Sequence, residues 1–216
     1  MSGEARRPSL FMYHFARLSV MVFLMIWDRF RAYGARKNVP ATGGCLIAAN
    51  HVSFLDPPVI AASLHHRIMR FMARDTLFSS RIGGWFFRSV QCVPIDRTRG
   101  DVGALRKSIQ ILQAGGVMVL FPEGTRSPDG ELKPAKAGMG FLISKAAVPV
   151  VPAYVEGTFK AFPKGAKFVR PGRVRVYYGP PIAVAEFEQF GHDRDAYEKI
   201  GQLVMSRIAA LKPTSR

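Results

Sequence analysis

His51 and Asp56 stand five residues apart, directly after the apolar run Cys45-Leu46-Ile47-Ala48-Ala49. A run of this kind reads as a buried strand, and the loop beyond the carboxyl end of such a strand is where α/β sheets bind ligands. Imidazole titrates nearest neutrality, and a carboxylate on one ring nitrogen fixes the tautomer so that the other nitrogen can accept a proton. The pair therefore reads as a general base with its orienting acid. A blander reading fits the same residues. Asp56-Pro57 is a good helix start, an N-cap carboxylate followed by proline at the first helical position, with Val59-Ile60-Ala61-Ala62 continuing the helix. The two roles are compatible.

Two more polar loops follow apolar strand candidates. Asp96-Arg97-Thr98-Arg99 comes after Val93-Pro94-Ile95, and Pro122-Glu123-Gly124-Thr125-Arg126-Ser127 comes after Val117 to Phe121, the best buried strand in the chain. Arginine's planar fork suits bidentate phosphate binding, and a glycine at position 124 lets a ligand approach the main chain. Taken singly, Arg97 and Arg126 read equally well as surface or salt-bridging arginines. Pro122-Glu123-Gly124 also reads as turn punctuation, with Thr125 as a local cap.

The elements that must position these loops alternate along the chain. Strands are expected at Cys45–Ala49, Ile68–Ala73, Val93–Ile95, Val117–Phe121, Val150–Val155 and Arg173–Tyr178. Pro94 hints at an edge or a bulge for its strand. Helices are expected from Pro57, over Ser79–Phe87, after a cap at Asp101, over Ala137–Ala146, and along the stripe Tyr197, Ile200, Val204, Ile208 and Leu211. In the helix after Asp101, the residues Val102, Leu105, Ile109 and Leu112 are expected to form the inward face. The alternation predicts an α/β fold, a largely parallel mixed sheet flanked by helices.

Composition bounds the partners. The 216 residues carry 31 Lys and Arg against 15 Asp and Glu, a net charge of +16 that calls for something anionic: nucleic acid, lipid headgroups or a phosphorylated substrate. Cys45 and Cys92 are the two cysteines, too few and too apolar in setting for a disulfide framework or a metal site, which favours a reducing, cytosolic-side location. At the amino terminus, His14 and Arg17 interrupt an apolar stretch and leave Leu18 to Trp27 as a clean run of ten residues. A spanning helix needs roughly 20. Flanking arginines, Lys37, Tyr13 and Trp27 suit a helix that lies in or dips into the cytoplasmic leaflet. The chain divides accordingly into residues 1–37, an amphipathic membrane-interface helical segment, and residues 38–216, a catalytic domain. No nucleic-acid motif appears, so nucleic acid is not expected as a partner. A basic peripheral membrane-binding protein is the non-enzyme alternative, and it leaves His51 and Asp56 without a purpose.

Four blocks in order resemble the glycerolipid acyltransferases, most closely the bacterial 1-acylglycerol-3-phosphate acyltransferases. Asn50-His51-Val52-Ser53-Phe54-Leu55-Asp56 resembles the first block and its His-x-x-x-x-Asp signature, and Val93-Pro94-Ile95-Asp96-Arg97 the second. Phe121-Pro122-Glu123-Gly124-Thr125-Arg126-Ser127 is similar to the third, and Val148-Pro149-Val150-Val151-Pro152-Ala153 to the fourth. Lys136-Ala137-Gly138 and Gly157-Thr158 also fit, so the resemblance runs from about Ala41 to Pro181. It implies transfer of a fatty acyl group from acyl-coenzyme A or acyl carrier protein to the free hydroxyl of a lysophospholipid. The expected acceptor is 1-acylglycerol-3-phosphate, giving phosphatidic acid, with another lysolipid such as a lyso-ornithine lipid as the alternative.

In that scheme His51 is the base and Asp56 its orienting acid, with Asn50 and Ser53 supporting the motif. Arg97 and Arg126 hold the acceptor phosphate, Glu123 orients them or binds the glycerol, and Gly124, Thr125 and Lys136 complete the substrate-binding set. Main-chain amides of the second or third loop are expected to stabilise the oxyanion. No metal and no cofactor beyond the acyl thioester co-substrate is expected. The implied setting is peripheral, on the cytoplasmic face of the inner membrane, against anionic phospholipid. Two stretches depart from the family, Ala73-Arg74-Asp75-Thr76-Leu77-Phe78 and Val90-Gln91-Cys92. Both bear on acceptor and acyl-chain preference rather than on the chemistry.

Overall fold

Seven strands form one sheet in the order β1-β7-β6-β2-β5-β3-β4. They are β1 (Arg31–Tyr33), β2 (Cys45–Ala49), β3 (Met69–Arg74), β4 (Val93–Ile95), β5 (Val117–Leu120), β6 (Val150–Glu156) and β7 (Arg175–Tyr178). The computed structural model describes residues 10–96, 101–163 and 165–214. Every strand pair is parallel except β6 with β7, which matches the expected mixed, largely parallel sheet. Val93-Pro94-Ile95 is the outermost strand, where a proline removes no ladder hydrogen bond from the sheet interior.

The central strands are apolar throughout because both of their faces are covered. Successive side chains point to opposite faces. Cys45, Ile47, Ala49, Val117, Val119, Val151, Ala153 and Val155 therefore enter one core layer, while Leu46, Ala48, Met118, Leu120, Val150 and Tyr154 enter the other. Helices α1 (Leu10–Trp27) and α3 (Asp56–Ser63) close the first layer, to which Leu24, Val59 and Ile60 contribute. The second is closed by α5 (Val102–Gln113), α6 (Ala137–Ala146) and α9 (Arg194–Ala209), with Leu112, Leu142, Ile143, Ile200, Val204 and Ile208 inside. Short helices α2 (Ala35–Asn38), α7 (Thr158–Ala161) and α8 (Val184–Glu188) line connections, and α4 (Arg81–Ser89) follows a 3-10 turn over Asp75–Phe78.

Asp101 caps α5 as expected, its Oδ1 accepting from the Ala104 amide at 2.9 Å. The inward face of α5 differs from the expected stripe. Ala104, Ser108 and Leu112 are buried, Leu105 and Ile109 flank them, and Val102 in the first turn is 66% exposed because the helix has not yet reached the sheet there. Asp56 also differs. It is the first residue of α3 rather than the residue before it, and the helix start has no side-chain cap. Its carboxylate turns back into the preceding loop.

Helix α1 is continuous over 18 residues, long and apolar enough by length and composition to cross a membrane. His14 and Arg17 do not break it, since both are ordinary helix residues once neighbouring turns are formed. One face packs on α3, with Tyr13 and Leu24 buried and the Tyr13 hydroxyl accepting from the Met69 amide at 2.9 Å. Phe11, Phe15, Leu18, Val22 and Met25 form the opposite stripe and are exposed. Strand β1 begins four residues after α1 ends and pairs with β7, so the sheet draws its outer edge from just beyond the apolar helix.

Candidate active site

Parallel neighbours β6, β2, β5 and β3 place the residues after their carboxyl ends along one sheet edge. The first loop, from β2, is tied to the strands beside it. Asn50 reaches to β6, its Oδ1 accepting from the Val155 amide at 2.7 Å and its Nδ2 donating to the Val155 carbonyl at 3.1 Å. Ser53 Oγ donates to the Phe162 carbonyl at 2.7 Å and accepts from the Leu55 amide at 3.1 Å. The third loop is joined from the other side, with the Ser127 amide donating to the His51 carbonyl at 2.8 Å.

Within this frame His51 Nδ1 lies 2.8 Å from Asp56 Oδ2. An ionised carboxylate only accepts, so the ring proton sits on Nδ1 and Nε2 carries the free lone pair. The imidazole is 9% exposed and stacks on Phe121 with ring centroids 4.0 Å apart. Asp56 is fully buried, and burial of a charge is tolerable only when its lone pairs are filled. They are. Oδ2 also accepts from the Val52 and Ser53 amides, each at 2.7 Å, and Oδ1 accepts from Thr158 Oγ1 at 2.6 Å. The carboxylate is locked, and it locks the ring.

Glu123 is 2% exposed, and its oxygens are occupied by main-chain donors. Oε1 accepts from the His51 amide at 2.9 Å and Oε2 from the Lys133 amide at 3.3 Å. Desolvation raises its carboxyl pKa, and the two amides pull it back. This places Glu123 as a clamp on the backbone of His51, with no ion pair to Arg126 among the described residues. Gly124 has a φ of +71°, the left-handed turn that sends the third loop away from β5. A Cβ there would also meet Lys136 Cγ at 3.1 Å. Thr125 and Lys136 are exposed, and the Lys136 amide closes the loop onto the Pro122 carbonyl at 2.9 Å.

Arg126 has its guanidinium carbon 3.3 Å over the centre of the Phe54 ring, and its Nη1 is buried with no hydrogen-bond partner among the described residues. Desolvation lowers its pKa first, the Asp56 charge raises it, and the Arg74 charge at the end of β3 lowers it. A buried guanidinium nitrogen without a partner is chemically suited to accept an anion. Arg97 lies outside the described residues. The site thus gathers His51, Asp56, Glu123, Gly124 and Arg126, with Asn50 and Ser53 as struts and Lys136 at the rim. Thr158 and Phe54 were missed as working residues. Thr158 had a signal, the preceding Gly157, whose φ of +88° and close approach to the Arg173 carbonyl turn the chain so that the hydroxyl meets Asp56.

A concavity of about 480 Å³ opens at the opposite, amino-terminal edge of the sheet, lined by His66, Arg67, Arg70 and Gly116 among others. Its lining holds no carboxylate to pair with a base, in contrast to the His51 edge. Among the described residues no cluster of His, Cys, Asp and Glu is arranged to hold a metal ion.

A histidine held by a buried carboxylate near an unpartnered guanidinium nitrogen could take a proton from a group of an anionic substrate. The acyltransferase family model matches residues 31–156, more than half of the chain, and the chain belongs to the acyltransferase family. It is 26% identical over 176 residues to the 1-acyl-sn-glycerol-3-phosphate acyltransferase of Bacillus subtilis, covering 82% of this chain and 85% of that one. To the chloroplastic 1-acyl-sn-glycerol-3-phosphate acyltransferase BAT2 of Brassica napus it is 33% identical over 150 residues, 68% of this chain but 43% of the plant protein. The chain therefore spans less than half the length of that relative. The crystal structure of the 1-acyl-sn-glycerophosphate acyltransferase PlsC from Thermotoga maritima superposes with a TM-score of 0.73 at 26% identity, covering 96% of this chain and 81% of that one.

Proposed function

We propose that the protein transfers a fatty acyl group from an acyl thioester, acyl-coenzyme A or acyl carrier protein, to the free hydroxyl of 1-acylglycerol-3-phosphate. The observation that carries this reading is the unpartnered guanidinium nitrogen of Arg126 at the same sheet edge as the His51 and Asp56 pair. The first needs a phosphate, the second an alcohol. The relatives named above supply the choice of alcohol.

An alcohol has a pKa far above 7, so its proton must leave as it attacks. His51 Nε2 takes that proton while the hydroxyl oxygen forms a bond to the thioester carbonyl carbon. The carbonyl electron pair moves to oxygen, returns as the carbon–sulfur bond breaks, and the departing thiolate receives the proton from His51. Asp56 does not itself take the proton; it holds the ring and stabilises the imidazolium. No covalent acyl-enzyme is required. The oxyanion donors are narrowed by the engaged amides: those of His51, Val52, Ser53 and Ser127 already donate inside the protein.

The exposed apolar stripe of α1, with the charge of +16, supports a peripheral attachment to anionic phospholipid at the cytoplasmic face. One assay tests the whole reading: purified protein against a panel of lysolipids with both thioester donors. Turnover is expected with 1-acylglycerol-3-phosphate. Turnover only with an acceptor lacking phosphate, such as a lyso-ornithine lipid, overturns the assignment of the acceptor and of Arg126.

A further inference from the structure

We infer that α4 is a second membrane-contacting element, separate in sequence from α1, which sets the bilayer beside the entrance to the site. This rests on the reading of the protein as a peripheral membrane enzyme and goes beyond it. Ile82, Trp85 and Phe86 follow the i, i+3, i+4 spacing of one helix face, and they are 81%, 54% and 40% exposed. The other side of α4 is already used. Gly84 is buried there, and Phe87 packs on Phe78 with centroids 5.6 Å apart. A single exposed apolar residue is ordinary, whereas a helix face of three large ones has no reason to face water.

The face is not isolated. Helix α4 touches α1, whose own apolar stripe is exposed, and the turn before α4 adds Leu77 at 44% exposure. Arg81 and Arg88 are exposed at the two ends of α4, which suits anionic headgroups rather than an apolar protein partner. Position completes the argument. The turn before α4 begins directly after Arg74, at the carboxyl end of β3 and so at the sheet edge that carries the His51 loop. A lysolipid lying in the leaflet would reach Arg126 and His51 headgroup first, without leaving the interface.

Trp27 and Trp85 are the two tryptophans, which makes the test direct. The Trp27→Phe protein reports on α4 alone and the Trp85→Phe protein on α1 alone. Each is mixed with vesicles of phosphatidylcholine and phosphatidylglycerol that carry spin-labelled acyl chains. Trp85 emission is expected to shift to the blue and to be quenched about twofold or more. The Ile82→Glu/Phe86→Glu protein is expected to partition at least tenfold more weakly, since each large apolar side chain withdrawn from water contributes about tenfold. Quenching of Trp27 with no change at Trp85 overturns the inference and leaves the peripheral reading standing. Absence of quenching at both overturns that reading itself. A Trp85 blue shift that depends on protein concentration without vesicles assigns the face to a second copy of the chain, and overturns the inference as well.

Discussion

Thr158 Oγ1 donates to Asp56 Oδ1 at 2.6 Å, while Asp56 Oδ2 faces His51 Nδ1 at 2.8 Å. One carboxylate thus links the start of α7, just after β6, to the base after β2, and the orientation of the imidazole depends on a hydroxyl 102 residues beyond Asp56.

Replacing Thr158 by Val keeps the shape and removes the donor, leaving a buried carboxylate oxygen unpaired. An unmade hydrogen bond to a buried charge costs about 1–3 kcal/mol. The turnover number is expected to fall roughly tenfold with a lower unfolding midpoint, and Thr158→Ser to restore both. A Thr158→Ser protein as slow as Thr158→Val would show that packing of the methyl group, not the hydrogen bond, matters.

His51→Ala removes the base and should lower the turnover number roughly a hundred- to ten-thousand-fold, the range of a positioned general base. Circular dichroism is expected to match the parent, because Asp56 keeps the Val52, Ser53 and Thr158 donors when the ring is lost. Retained acyl transfer by the folded variant would remove His51 from the mechanism.

Phe54 holds Arg126 from below by a cation–π contact worth about 1 kcal/mol. Phe54→Ala is therefore expected to raise the acceptor KM about fivefold with a smaller change in turnover. Arg126→Lys should raise it further, since an ammonium lacks both the planar fork and the stack. Equal effects on KM for a phosphorylated and an unphosphorylated acceptor would argue against a phosphate role.

Burial pushes the Cys45 thiol up to about 11 and the Cys92 thiol up to about 12. Both folded values lie above the unfolded one, about 8.5. The neutral thiols therefore contribute their stability below that pH and lose it as pH rises through the folded values. The urea midpoint should decline steadily above about pH 8.5. Iodoacetamide at neutral pH is expected to leave Cys45 of the native protein unmodified and to label it in urea; labelling of Cys45 in the native form would contradict its burial.

Gly140 of α6 lies against the main chain of α9 at Tyr197, where a methyl group would collide with the carbonyl oxygen. Gly140→Ala must push the two helices apart and is expected to cost about 3 kcal/mol by overpacking. Chemical denaturation measures it, and an unchanged midpoint would mean that the α6 and α9 contact is softer than its geometry.

The sequence by itself determined the buried strands of the sheet and singled out His51 and Asp56. Buried parallel strands are apolar on both faces, so Cys45–Ala49, Val117–Leu120 and Val150–Glu156 stand out from the polar loops that follow them, and a histidine and carboxylate after such a strand have a limited set of uses. Strand β1 was not legible, because three exposed residues on a sheet edge carry no hydrophobic period. Nor was the choice Asp56 makes. A carboxylate before Pro57 fits a helix cap by local rules, and only the fold, by bringing Thr158 across from β6 and turning the Val52 and Ser53 amides inward, points it at His51 instead. Glu123 shows the same limit. The resemblance implied that it orients the arginines or binds the glycerol, and the packing of β5 against β2 set it on the His51 amide. Side-chain direction at a sheet edge is fixed by neighbours distant in sequence, and those are known only once the strands are in order.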